Sequence, residues 1–244
     1  MKHLLHIGNQ HLKKGFSVLD IGAGTGFFIR DFLKGFKPRA SSYTAIEPSK
    51  EHVHKIKQNF QAIPLELEIY NEIFTPQTDF KQKFDLIVMS HSLYWFMPDP
   101  EPYILNALKL LEEDGVAVMY LQTPYSASHI LNLLFKNVLP ENRTPNHEIN
   151  SWTILDILDE NNIHYKISNL PGTFNGNHLF KPGHKELLHE LISFFLSIQA
   201  ESTDYITLKR AEEALNKLSY KNGENVKLNL EVGAITVLGG IPKF

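Results

Sequence analysis

The chain has 244 residues, of which 43% are hydrophobic, and a formal net charge of −3. This length fits one domain with an insertion better than two independent domains, and the charge argues against nucleic acid as a partner. The absence of cysteine excludes disulfides and thiolate metal ligands. No apolar run has the length of a membrane span, and residues 1–15 lack the apolar run of a secretory signal. We therefore expect no membrane partner and a cytoplasmic location.

Predicted strands and helices alternate along the first half of the chain, which favours a parallel sheet. Apolar runs predict strands near 16–21, 42–47, 65–69, 84–89 and 115–121. Helical spacing of apolar residues predicts helices near 26–34, 49–59 and 101–111. The second half is predicted to contain helices near 127–137, 152–160, 184–199 and 204–218, a strand near 163–168, and two apolar runs within 226–238.

The sequence VLDIGAGTG at residues 18–26 is the most informative segment. Glycines directly after a buried strand let the backbone turn sharply and approach a ligand, and a predicted helix follows at once. A dinucleotide fingerprint needs glycine at the sixth position counted from Gly22, where this chain has Phe27. No Lys-Ser or Lys-Thr pair follows, so the segment is not a P-loop. It predicts a nucleotide-binding corner of another kind.

Two acidic residues narrow the choice of nucleotide. Asp20 precedes the glycines, where it would repel a phosphate and favour a cationic amino-acid group. Glu47 ends the next strand, roughly 20 residues further on, where an acid can accept both ribose hydroxyls. A ligand with a ribose, a positive amino-acid end and no phosphate is S-adenosylmethionine (SAM). We predict that Glu47 binds the ribose and that the methionine part faces Asp20, Gly22, Ala23 and Gly24.

These features resemble the class I SAM-dependent methyltransferases over about the first half of the chain. The glycine loop, the acid in IEPS at 46–49 and the strand FDLIVMS at 84–90 occur in the order of that family. The resemblance implies an α/β, Rossmann-like fold. Its mostly parallel seven-stranded sheet would have helices on both faces and an antiparallel final strand pair, supplied by the two apolar runs within 226–238.

The resemblance also implies further cofactor contacts. Asn71 or Glu72, after the third strand, is expected to contact the adenine, and Phe74 is the alternative through stacking. The backbone of Ser90, which ends the fourth strand, is expected to lie near bound SAM.

The sequence SHSLYWF at residues 90–96 bears most directly on the chemistry. Enzymes that methylate nucleic-acid bases usually carry Asn/Asp-Pro-Pro-Tyr here, and its absence argues against base methylation. Tyr94 and Trp95 can pack a flat or cationic substrate, and His91 can accept a proton. We predict that these three residues line the substrate pocket and act in catalysis. The alternative is that the aromatic residues belong to the core and that His91 is structural.

This segment, with EPS at 47–49 and the helical insertion, resembles more loosely the histamine N-methyltransferase group. That group has Gln at position 91, Tyr at positions 94 and 95, and a longer leading segment. The resemblance implies a small amine or imidazole-like substrate. Further candidate substrate-binding residues are Tyr125, Phe174 and Glu231.

We predict a single methyltransferase domain over residues 1–244. Residues 1–121 would be its SAM-binding half, and residues 122–150 and 171–225 would form a helical cover over the substrate. The alternative is that these helices only bury the sheet surface. No metal site is predicted, because no histidine pair has the four-residue helical spacing of zinc ligands.

The predicted reaction is transfer of a methyl group from SAM to a nitrogen of a small molecule by in-line displacement, which mainly requires alignment and exclusion of water. One alternative is an O-methyltransferase in which His91 deprotonates a hydroxyl. Another is a SAM-binding module without catalytic activity.

Overall fold

A computed structural model describes residues 1–139, 148–181 and 183–240. The strands are β1 (Ser17–Ile21), β2 (Ser42–Ile46), β3 (Glu66–Tyr70), β4 (Phe84–Ser90), β5 (Leu111–Gln122), β6 (Tyr165–Leu170), β7 (Thr173–Asn175), β8 (Ser219–Asn222), β9 (Asn225–Asn229) and β10 (Val232–Leu238). The helices are α1 (Lys2–His11), α2 (Phe27–Gly35), α3 (Lys50–Phe60), α4 (Glu101–Lys109), α5 (Ala127–Phe135), α6 (Ser151–Glu160), α7 (Lys185–Leu196) and α8 (Tyr205–Leu218), with short 3₁₀ helices at Leu93–Phe96 and Ala200–Ser202.

Seven strands form one sheet in the order β3-β2-β1-β4-β5-β10-β6. The strands from β1 to β5 pair in parallel. β10 runs antiparallel to β5, because the N–H of Thr123 donates to Glu231 at one end of the pair and the N–H of Gly239 donates to Gly115 at the other. The predicted Rossmann-like, mostly parallel seven-stranded sheet with an antiparallel strand pair is confirmed.

The strand predicted to complete the final pair was wrong. The second apolar run within 226–238 becomes β10, but the first becomes β9, which joins β7 and β8 in a separate three-stranded antiparallel sheet. The neighbour of β10 at the sheet edge is β6 instead. Leu228 of β9 is fully buried in a different hydrophobic cluster. A local apolar pattern predicts burial, but it does not specify which surface buries the strand.

The chain divides into two compact units. The first comprises Met1–Tyr120, Ile157–Ile167 and the segment that begins at Ala234. The second comprises Leu121–Asp156 and Ser168–Gly233. The prediction that residues 122–150 and 171–225 cover a substrate stays a prediction.

Each unit has its own core. In the first, β1 lies between β2 and β4, and every residue from Val18 to Ile21 is buried. In the second, α5, α7 and α8 pack against one another around fully buried residues that include Leu131, Ile192 and Leu215. No helix among the residues described has the length and apolar character needed to cross a bilayer.

Candidate functional site

Three glycines of the turn between β1 and α2 have positive φ angles, but different neighbours surround them. A Cβ added to Gly22 (φ +72°) would lie 2.4 Å from the Cβ of Ser92, and one added to Gly26 (φ +68°) would lie 2.9 Å from the ring of Phe60. A Cβ on Gly24 (φ +55°) would meet no atom within 4 Å. Of the three, Gly24 therefore borders open space where a ligand can approach the backbone.

The turn is tied to the end of β2 by its own N–H groups. The N–H groups of Gly22 and Ala23 donate to the carbonyl oxygen of Ile46, at 2.9 and 3.2 Å. The N–H of Gly24 donates to Oε2 of Glu47 at 2.8 Å. The residue predicted to bind a ribose therefore also holds the glycine turn in place.

Glu47 is 6% exposed and directly follows β2. Its Oε1 accepts a hydrogen bond from the N–H of Ser49 at 2.9 Å and lies 3.4 Å from Nδ1 of His52. A carboxylate offers about four acceptor positions. Gly24 and Ser49 occupy two of these positions, and His52 takes a third when its Nδ1 carries a proton. At least one position therefore remains for a ribose hydroxyl.

Asp20 lies beneath the turn. Its side chain is 3% exposed and accepts a hydrogen bond from the hydroxyl of Tyr43 at 2.9 Å. Burial raises the pKa of Asp20 to about 7; the Tyr43 hydrogen bond opposes this rise and the charge of Glu47 adds to it. Such a buried carboxyl can influence a cationic ligand through its charge, and its contact with the methionine part stays a prediction.

Asn71 and Glu72, predicted near the adenine, are exposed beyond the end of β3. The Nδ2 of Asn71 donates to the carbonyl oxygens of Glu47 and Pro48, at 3.0 and 2.9 Å. Phe74 is 3% exposed and packs near Phe96 in the core, so stacking of Phe74 on a base was a wrong prediction.

The apolar residue that does reach solvent here is Ile73, which is 66% exposed. Sequence reasoning missed it, because in a loop an exposed and a buried aliphatic residue look alike.

His91, Tyr94 and Trp95 follow β4 and form a solvent-accessible surface beside the glycine turn, which we call the exposed step. His91 has a positive φ of 55°, and its Nδ1 lies 3.4 Å from the hydroxyl of Tyr94, with the two rings nearly parallel. Surrounding protein atoms lower the pKa of His91 by desolvation, although its side chain still reaches solvent. Trp95 is 73% exposed, whereas Phe96 is buried and stacks on Tyr103.

Ser92 is the residue beside the exposed step that sequence reasoning missed. It is 6% exposed, and its hydroxyl has no hydrogen-bond partner in the described part of the chain. It packs against Gly22, so it joins the exposed step to the glycine turn. Only the long-range contact reveals it, because a lone serine carries no pattern.

The second unit brings two of its three predicted substrate residues together. Tyr125 is 57% exposed, and its ring meets that of Trp152 edge to face at 5.6 Å. The side chain of Asn229 links Tyr125 to Glu231. The Nδ2 of Asn229 donates to the carbonyl oxygen of Tyr125, and the Oδ1 of Asn229 accepts from the N–H of Glu231, both at 3.2 Å. Phe174 lies instead on β7 and packs against the hydrophobic cluster of that unit.

Comparison with known proteins agrees with this geometry. Residues 19–117 match the family described as a methyltransferase domain. Over 129 residues the chain is 30% identical to a polyketide synthase-nonribosomal peptide synthetase of Aspergillus clavatus, a match that covers 48% of this chain and only 3% of that protein. The chain thus spans a small fraction of that relative's length.

Solved structures resemble the whole chain. The YcgJ protein of Bacillus subtilis has a TM-score of 0.64 at 15% identity, covering 98% of this chain and 99% of that one. The N-methyltransferase NodS of Bradyrhizobium japonicum, in complex with S-adenosylhomocysteine, has a TM-score of 0.55 at 13% identity, covering 99% and 85%. Residues 19–117 therefore match a methyltransferase domain, and the solved structures show that the chain shares their fold.

Proposed function

We propose that this protein transfers a methyl group from SAM to a nitrogen of a small molecule. The observation that carries the proposal is the exposed step of His91, Tyr94 and Trp95, which Ser92 joins to the glycine turn. Its place beside the glycine turn supports an acceptor that approaches the donor from this side.

The turn fits SAM on three grounds. Gly24 borders open space, the buried carboxylate of Glu47 has at least one acceptor position left, and the hydroxyl of Ser92 is buried without a partner among the described residues. Bound SAM would supply a methyl group already activated by a positively charged sulfur. The chain's own residues then have to orient the acceptor, remove a proton where one is present, and exclude water.

The acceptor side favours a nitrogen. The faces of Tyr94 and Trp95 attract flat or cationic groups, which amines and imidazoles provide. Desolvation keeps His91 neutral near pH 7, and a neutral imidazole can accept a proton from an ammonium group, which has no lone pair until it is deprotonated. The sequence resemblance to the histamine N-methyltransferase group supports the same class of acceptor.

Two alternatives rest on the same residues. An O-methyltransferase would use His91 to deprotonate a hydroxyl, and a SAM-binding module would use the turn without transferring a methyl group. Both alternatives keep the same SAM-binding residues and differ only in the role of His91.

The test is incubation of the protein with methyl-labelled SAM and a panel of small amines, imidazoles and phenols, with a metabolite extract as an additional sample. We expect labelled product with the methyl group on nitrogen, identified by mass spectrometry, and stoichiometric S-adenosylhomocysteine. Label on oxygen alone would support the O-methyltransferase. SAM binding without any S-adenosylhomocysteine from the panel or the extract would support the binding module.

A further inference from the structure

His3 and Tyr120 form a hydrogen-bonded pair in the first unit. Nδ1 of His3, in the first turn of α1, lies 3.1 Å from the hydroxyl of Tyr120, and the two rings meet edge to face. The ring of Phe28, in the first turn of α2, lies 5.4 Å from that of Tyr120. Tyr120 is 4% exposed, so its hydroxyl needs a protein partner, and His3 supplies it.

Strand register places this pair at the edge of the sheet that carries the glycine turn. Tyr120 on β5 is the register partner of Ser90 on β4, and the other neighbour of β4 is β1, which leads into Gly22. Neighbouring strands are about 4.8 Å apart, so Tyr120 lies roughly 10 Å from the turn. Its contact with Phe28 fixes it beside the helix that follows the turn.

The pair presents an oriented hydrogen-bond donor. Burial raises the pKa of Tyr120, so its phenol keeps its proton near pH 7 and can donate it to an unprotonated Nδ1 of His3. Burial, His6 and the amino terminus lower the pKa of His3, so the neutral ring is favoured near pH 7. When Tyr120 donates to Nδ1, the proton of this neutral ring lies on Nε2. Within the described residues, the only hydrogen bond of the His3 ring is the one at Nδ1.

Several donors nearer the turn are already used within the protein. The N–H groups of Gly22, Ala23 and Gly24 are bound to Ile46 and Glu47. The guanidinium of Arg30, on the helix after the turn, is bound to Asp31 and Asn59. These groups are therefore not available to a carboxylate that arrives at this edge.

We propose that His3, positioned by Tyr120, binds the carboxylate of the methionine part of SAM. This inference rests on the proposed function, because it assigns a residue to the ligand of that site. His3 is thus a binding residue, and Tyr120 is a positioning residue that fixes which ring nitrogen carries the proton.

The experiment compares SAM with decarboxylated SAM, which keeps the adenosine, the sulfonium and the amine but lacks the carboxylate. In calorimetric titrations, His3→Ala should weaken SAM binding roughly ten- to hundredfold, as expected when a hydrogen bond to a charged group is lost. It should change the affinity for decarboxylated SAM by less than about twofold. His3→Gln, which keeps an N–H donor, should retain most of the affinity for SAM. Tyr120→Phe should shift SAM binding in the same direction as His3→Ala, by a smaller factor.

The matched control is Gln10→Ala, which removes an exposed polar side chain from the same helix and should leave both affinities unchanged. Equal weakening of SAM and decarboxylated SAM by His3→Ala would overturn the inference, and so would no weakening of either. Wild-type protein that binds neither ligand would overturn the proposed function, and this inference with it. Circular dichroism and thermal melting of each variant keep loss of folding apart from loss of a contact.

Discussion

Gly22 and Gly24 are two residues apart and both have positive φ, yet the structure assigns them different costs of substitution. Gly24→Ala places a Cβ in open space, so it should destabilise the protein only by the strain of the left-handed conformation, about 1–2 kcal/mol. Gly22→Ala adds an overlap with Ser92, which should cost about 1–3 kcal/mol more. Urea unfolding of the two variants measures the difference.

The double variant Gly22→Ala with Ser92→Gly is the control for that comparison. It removes the side chain that the new methyl group would meet, so it should recover most of the difference between the two single variants. If Gly22→Ala and Gly24→Ala prove equally stable, the contact between Ser92 and Gly22 is absent in solution.

Asp20 should make the stability of the protein depend on pH in an unusual direction. Its pKa is about 7 in the folded protein and near 3.8 in an unfolded chain. The folded state therefore holds a proton that the unfolded state has lost, and the resulting stabilisation disappears as the pH rises from about 4 to about 7. Wild type should lose on the order of 2–4 kcal/mol relative to Asp20→Asn between these limits. Unfolding both proteins in denaturant at several pH values measures this, and a constant difference would contradict it.

At the scale of the elements, the 3₁₀ helix Leu93–Phe96 places two adjacent aromatic residues in different environments. Trp95 is 73% exposed, so Trp95→Ala should change the free energy of unfolding by no more than about 0.5 kcal/mol, while turnover falls at least tenfold. Phe96→Ala is the matched control and should destabilise the protein by about 3–5 kcal/mol, because Phe96 is buried against Tyr103. Denaturation curves and product formation are measured for both. A Trp95 variant as unstable as the Phe96 variant would show that Trp95 is core.

The bounds of the strands and helices could largely be predicted from the sequence, but the pairing of the strands could not. The first five strands and the helices between them begin and end within a few residues of their predicted bounds, because each carries a strong local apolar period. β5 is the exception, starting at Leu111 rather than near 115. The assignment of β9 to the wrong sheet has a different origin, since its partners β7 and β8 are short and mostly exposed and carry almost no pattern.

At the scale of the whole molecule, SAM should protect a defined set of backbone amides. Hydrogen exchange should slow in three segments. Residues 17–26 contain the glycine turn, residues 44–52 contain Glu47, the proposed ribose ligand, and residues 84–96 contain β4 and the exposed step. With SAM at about one hundred times its dissociation constant, openings that release the ligand should become about a hundredfold rarer. Residues 61–65, which precede β3 at the other edge of the sheet, should exchange as before. Uniform protection, or none at the turn, would place the ligand elsewhere.

The site was predictable only where its residues share a local signature. The glycines and Glu47 follow apolar strands at a recognisable spacing, so sequence reasoning found them. The partner of Asp20 is Tyr43, more than twenty residues away, and the partner of Gly22 is Ser92, on a different strand end. Such contacts arise from the order of strands in the sheet. Phe174 shows the converse, because its neighbouring glycines indicate a loop, whereas its pairing with Leu228 makes it part of a strand.

The internal hydrogen bonds of the turn between β1 and α2 have a consequence for the kinetics of recognition. Ile46 and Glu47 fix Gly22, Ala23 and Gly24 before any cofactor arrives. The entropy of ordering these residues is therefore lost during folding and not at the moment of encounter. Association should then proceed in a single step without an isomerisation, and differences in affinity among related nucleosides should arise mainly in how fast they leave.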